Sequence, residues 1–209
     1  MKLEELETEV RRLRDILEIQ NLQSRYNFLI GMNLGDRVPE EVFAKKHSDV
    51  SFEIGDVGRW EGLESIRRVF GKLTQVPGKM GLIMAIQPLI EVAKDGETAR
   101  GQWMGFGPTA LPEKASPEAE PVLTAFWMCG KYDMEYIKEN GAWRIKKLLY
   151  AYAFVTPFDK GWVKQPMPND YGSFLKQPGG EPDKPASNFY PYGPDKTEFI
   201  GVPLLEPVK

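Results

Sequence analysis

The sequence predicts an α+β domain in which helices come first and a β-sheet follows. Three observations carry that prediction. Apolar residues recur at three- and four-residue spacing through the N-terminal third, the middle consists of long β-rich runs separated by Asp-Gly and Asn-Gly turns, and no internal repeat is visible. With 209 residues, 42% of them hydrophobic, the chain can bury one sizeable core, so a single domain spanning 1–160 with a helical extension at 1–18 and a tail at 161–209 is expected.

The first helix is read from Leu3, Leu6, Val10, Leu13 and Leu17, followed by Ile19, Leu22, Tyr26, Leu29 and Ile30 on a helical period. Its first half carries a charge at almost every other position, which fits a narrow helix–helix seam. That half either packs on its own domain or forms a short intersubunit coil. Asn33-Leu34-Gly35-Asp36 breaks the helix, and PEEVFAKKH opens a second, short helix with Pro39 at its first position. SDVSFEI alternates as a strand. A hairpin-like turn from Gly55 to Gly62 leads into a third helix with Leu63, Ile66, Val69, Phe70 and Leu73 on one face.

Beyond Pro77-Gly78, the runs LIMAIQPLIEVA, ETARGQWMGFG, VLTAFWMCGKYDMEYI and WRIKKLLYAYAFV predict a four-stranded antiparallel meander turning at Asp95-Gly96, a loop at 108–121 and Asn140-Gly141. Phe126–Met128 and Leu148–Phe154 are apolar on both faces, so one face should meet the helices and the other a second covering, most simply another subunit. From Pro157 onward lie ten of the seventeen prolines, interleaved with aromatic residues, which predicts an ordered, irregular tail wrapping the domain or a neighbour.

Composition narrows function. A net charge of −3 with interspersed signs offers no basic stripe for nucleic acid. A single cysteine, Cys129, excludes an intramolecular disulfide framework, and with one histidine, His47, it excludes the usual structural zinc sets, so a reducing, cytoplasmic setting is expected. No apolar run is long enough to span a bilayer. Acid and base groups must then come from carboxylates, tyrosines or lysines.

LEIQNLQSRY around Tyr26, HSDVSFE around Asp49, the glycine-led WEGLESIRRVF and the two hairpin segments PLIEVAKDGETARG and CGKYDMEYIKENGAWRIKK resemble the SnoaL-like family of the nuclear transport factor two and scytalone dehydratase superfamily. The resemblance covers about residues 13–160. It implies a cone-shaped α+β barrel, three helices packed on a bent antiparallel sheet, with a deep pocket that accepts bulky, often aromatic molecules without metal or organic cofactor. It also implies a catalytic role for Tyr26. The aspartate the resemblance places five residues later is Gly31, however, and the histidine and asparagine of the first long strand fall near Met84 and Gln87.

Other groups are therefore weighed as the base. Lys147 shares strand parity with Trp143 and Ile145, and a lysine desolvated among such residues would have a lowered pKa. Lys131 follows Trp127 and Cys129 at period two, with Tyr132 on the opposite face. Asp49 opens a strand, and His47 precedes it. Met84, Gln87, Trp103, Phe126, Met128 and Tyr132 are expected to line the substrate cavity, with 105–121 as a lid. The expected activity is a cofactor-independent lyase: dehydration, or retro-aldol loss of formaldehyde from a lignin-derived diaryl compound. The alternatives are an isomerase or cyclase on a steroid- or polyketide-like substrate, or a non-catalytic binding module. A homodimer or homotrimer is expected in each case.

Overall fold

The computed structural model describes residues 2–74, 77–112, 123–167, 179–188 and 190–207. A single 29-residue helix, α1 (Leu3–Gly31), opens the chain. It ends in a Schellman turn: Asn33 takes the left-handed conformation at φ 58°, its N–H donates to Ile30, and the Leu34 N–H donates to Leu29. Asparagine tolerates that conformation, which is why the helix stops where the sequence break predicts. A four-residue helix, α2 (Val38–Glu41), is shorter than expected and starts one residue before Pro39. Strands β1 (Ser51–Ile54) and β2 (Gly58–Glu61) form a hairpin, and α3 (Gly62–Thr74) buries Ile66, Val69 and Phe70 as its periodicity predicts.

The sheet continues with β3 (Met80–Gly81), β4 (Met84–Val92), β5 (Thr98–Pro112), β6 (Leu123–Glu139) and β7 (Ala142–Pro157). Strand order is β2-β1-β7-β6-β5-β3, with β4 also paired to β5. The four long strands form the predicted meander, and Asn140 and Gly141, both at positive φ, make the tight turn expected between β6 and β7. Two expectations need correction. The sheet is mixed, because β1 runs parallel to β7 with Phe52 opposite Leu148. Residues 105–112 are strand rather than loop, extending β5 beside β6 as far as Leu123; the rest of the proposed lid lies outside the described residues.

The sheet curls around α1 and α3 into the expected cone. Ile19, Leu22, Tyr26 and Leu29 of α1 meet Phe70 of α3 and an inner sheet row that includes Met134, Tyr136, Trp143, Ile145 and Leu148. Midway along α1, buried Asp15 accepts from the Trp143 indole at 2.9 Å and pairs with Lys138 at 2.8 Å, fastening the helix to the β6–β7 hairpin. The described tail residues cover this chain's own sheet from outside. Gln102 donates its amide to Pro203 and accepts from the Leu205 N–H, and Tyr192 N–H donates to Ala153. The β2 edge is covered by the same tail, where Trp60 donates to the Gly180 carbonyl and Arg59 exchanges backbone hydrogen bonds with Lys184. Among the described residues no helix is long and apolar enough to cross a membrane.

Candidate functional site

Two β-bulges decide which side chains enter the cone. Strand β7 alternates inward through Trp143 and Ile145, but Lys146 is an extra residue with no partner on β6, since Glu135 faces Lys147 while Tyr136 faces Ile145. A bulge reverses the parity of everything beyond it. Leu148, Tyr150 and Tyr152 therefore point inward and Lys147 outward, where its ammonium pairs with Glu135 at 3.1 Å. The even alternation that placed Lys147 among core residues fails at this one position. A second bulge at Ala153 reverses the strand again before Val155. On β6 the alternation is unbroken: Met128, Tyr132, Met134 and Tyr136 point inward and Lys131 outward.

The inward residues enclose a cavity of about 120 Å³ between the concave sheet, α1 and α3. Its walls include Phe52, Phe70, Leu111 and Met128, and four tyrosines, Tyr26, Tyr132, Tyr150 and Tyr152, contribute rings and hydroxyls. Room for Tyr150 comes from a cross-strand glycine pair. Gly105 faces Gly130, and a Cβ on either would lie within 3 Å of the Tyr150 ring. Tyr26 and Tyr132 meet edge-on at 6.1 Å, and Tyr132 and Tyr150 lie 4.5 Å apart.

Behind Tyr132 runs a directed chain of hydrogen bonds. The Trp103 indole N–H donates to the Tyr136 hydroxyl (3.0 Å), which donates to Gln23 Oε1 (3.2 Å). Gln23 Nε2 donates to Asn27 Oδ1 (3.0 Å), and Asn27 Nδ2 donates to the Tyr132 oxygen (3.2 Å) and to the Ile83 carbonyl (2.8 Å). Every donor points the same way, so each link polarises the next. The Tyr132 oxygen accepts at the end of the chain, which leaves its own proton for the cavity. Burial raises the pKa of Tyr132 and of Tyr26, so both are protonated phenols at neutral pH and act as donors rather than bases.

Two further residues with polar side chains line the cavity. Lys79, half-buried in the turn before β3, makes no ion pair among the described residues, and desolvation lowers its pKa. Thr109 is buried, and its hydroxyl has no hydrogen-bond partner among the described residues. Leu73, Lys79 and Met80 form the wall that reaches solvent.

Of the residues singled out from sequence, Tyr26, Tyr132 and Met128 share this cavity. Lys147, Lys131 and Asp49 do not line it. Lys131 crosses to the tail and donates to the Val202 carbonyl at 2.6 Å, and Asp49, largely exposed, pairs with Lys146 at 2.8 Å, which lowers its pKa. His47 lies 3.7 Å from Glu139 on the surface. Met84 and Trp103 line a second pocket of about 510 Å³ between α1 and the start of β4, with Phe28, Gly31 and Leu82. Gln87 is exposed at a bulge in β4, at φ 54°, and Phe126 packs in the core away from the cavity. Lys79, Asn27 and Thr109 were not anticipated. Lys79 follows Pro77-Gly78, which reads locally as an ordinary surface turn, and no nearby signal marks it. Among the described residues no group of three His, Cys, Asp or Glu side chains is placed to hold a metal ion.

The fold is shared with solved structures of low sequence identity. A hexachlorocyclohexane dehydrochlorinase, LinA-type3, from Novosphingobium barchaimii superposes with a TM-score of 0.55 at 15% identity, over 72% of this chain and 94% of its own. A candidate scytalone dehydratase from Novosphingobium aromaticivorans gives 0.56 at 12% identity, over 72% and 91%. A protein of unknown function from Mycobacterium tuberculosis gives 0.51 at 23% identity, over 68% and 73%. A search of curated proteins returned no match. The family model of the SnoaL-like domain matches residues 11–148, a span that begins within α1, holds α2, α3 and strands β1 to β6, and ends inside β7. The chain belongs to the SnoaL-like domain family.

Proposed function

We propose that this protein is a cofactor-independent lyase whose substrate places an aromatic ring in the cone. The observation that carries this reading is the pairing, in one apolar cavity, of a desolvated lysine without a counter-ion among the described residues and a phenol whose proton is aimed inward by the Trp103–Tyr136–Gln23–Asn27 chain. Lys79 takes a proton from a carbon of the substrate, since its lowered pKa raises the fraction of free amine near neutrality. Tyr132 donates to the oxygen that leaves or develops charge, with Tyr26 beside it. Loss of water uses that division of labour; in retro-aldol loss of formaldehyde Lys79 instead takes the hydroxymethyl O–H proton, the C–C bond breaks to release formaldehyde, and the electron pair expels the oxygen to which Tyr132 donates. The names of the dehydrochlorinase and dehydratase that share the fold point to eliminations as well.

A cavity of about 120 Å³ is comparable with the roughly 150 Å³ apolar cavity that accepts benzene, so one ring fits inside and the remainder of a diaryl compound extends past Lys79 and Met80. The test is turnover on a panel of lignin-type diaryl compounds and polyketide-like phenols, preselected by thermal stabilisation. Lys79→Met and Tyr132→Phe should each lower kcat at least about tenfold, while Lys147→Met, Lys131→Met and Asp49→Asn leave it within about twofold. Loss of activity in Lys147→Met with Lys79→Met unaffected would overturn the assignment.

A further inference from the structure

The first half of α1 is amphipathic the wrong way round for a helix that serves its own domain. Leu3, Leu6, Val10, Leu13 and Leu17 are all exposed, from 43% to 71%. At about 100° per residue they fall on the side of the helix opposite the buried row Asp15, Ile19, Leu22, Gln23, Tyr26 and Leu29. The domain side of this half is polar instead: Thr8, Arg12 and Asp15 border a cleft against the β4–β5 turn, and Arg12 reaches Glu91 at 3.6 Å. A helix that turns charges toward its own body and leucines toward water has its hydrophobic partner elsewhere.

The pattern of the seam specifies that partner. The apolar residues alternate by three and four, placing Leu3, Val10 and Leu17 at heptad position a and Leu6 and Leu13 at d. β-Branched Val10 at a, flanked by Leu6 and Leu13 at d, is the combination that favours two strands. Lys2 and Glu9 then occupy g, and Glu7 and Arg14 occupy e. In a parallel pair of identical helices each g residue meets the e residue five positions on, so Lys2 meets Glu7 and Glu9 meets Arg14 of the second copy, both attractive. Arg14 is already oriented along the helix by Glu18 at 2.9 Å. The usual obstacle for a two-heptad coil is helix nucleation, and here Ile19–Leu29, packed in the core, have already nucleated the helix.

We propose that the exposed seam of α1 pairs with the same seam of a second copy of this chain as a parallel two-stranded coil. The domains sit on the outer sides of the pair, because the seam faces away from them.

Sedimentation equilibrium of the full chain over a concentration series tests this. The expected result is a dimer of twice 23.8 kDa, with Leu13→Glu raising the dissociation constant at least about tenfold and leaving circular dichroism unchanged, since Leu13 is exposed on its own domain. Glu9→Lys should weaken the dimer, and Glu9→Lys combined with Arg14→Glu should restore it. In an antiparallel pair g meets g and e meets e, so the same double variant would instead set like charges opposite Lys2 and Glu7 and stay weak. A monomer at every concentration, a dimer indifferent to Leu13→Glu, or a double variant that stays weak would each overturn the proposal.

Discussion

Replacing Gln23 by Met tests whether the hydrogen-bond chain behind Tyr132 is a coupled unit. Gln23 is fully buried, and methionine keeps its length and approximate volume, so packing changes little. What is lost is the bond from Tyr136 and the bond to Asn27. The Tyr136 proton and Asn27 Oδ1 are then left without these partners in the interior, and each orphaned group costs about 1–3 kcal/mol, giving about 2–6 kcal/mol in all. For a chain of this length that is a fall in Tm of roughly 4–24 °C. Tyr136→Phe alone strands the Trp103 N–H and Gln23 Oε1 instead. The double variant strands only Trp103 and Asn27, two groups rather than four, so it should cost about 2–6 kcal/mol less than the sum of the single changes. Urea unfolding with constant m-value is the assay. Costs that add to within about 0.5 kcal/mol would refute the chain as a coupled network.

The remaining predictions concern Lys79 and the tail. Desolvation holds the Lys79 pKa below its ordinary 10.5, so the unfolded chain binds more protons at this site between the folded-state pKa and 10.5. Stability from this group therefore rises with pH across that window, and its penalty is fully present below it. Lys79→Met should accordingly raise stability at neutral pH and flatten that rise, and in the native protein kcat/KM should climb on an ascending limb centred below 10.5. An unchanged slope of stability in the variant would remove Lys79 as its source. Gln102→Ala cuts the bonds to Pro203 and Leu205 that clasp the tail to β5, and limited proteolysis should then cleave near residues 202–205 faster than in the native chain; equal rates would mean that the clasp does not hold the tail.

Much of the fold was legible because periodicity is local. The 3.6-residue pattern of α1 and α3, the Asn-Gly turn and the Asn33 stop signal act within a few residues of chain, and the observed elements follow them. The seam of α1 was readable as a pattern, whereas the side it faces depends on how the other half of the same helix is buried.

The site was legible only where parity stayed intact. Tyr26 on an uninterrupted helix and Tyr132 and Met128 on the evenly alternating β6 reached the cavity, while Lys147 did not, because the unpaired Lys146 shifts β7 by one residue. A bulge leaves no mark in composition, since it is set by how two strands satisfy their hydrogen bonds together. The sequence alone determined the element order, the family and the tyrosine on α1. Tertiary structure alone decided that Lys79, from a turn far along the chain, lines the same apolar cavity as Tyr132, and that four side chains on α1, β5 and β6 form the hydrogen-bond chain that ends on the Tyr132 oxygen, because desolvation and hydrogen-bond direction exist only once distant segments have packed.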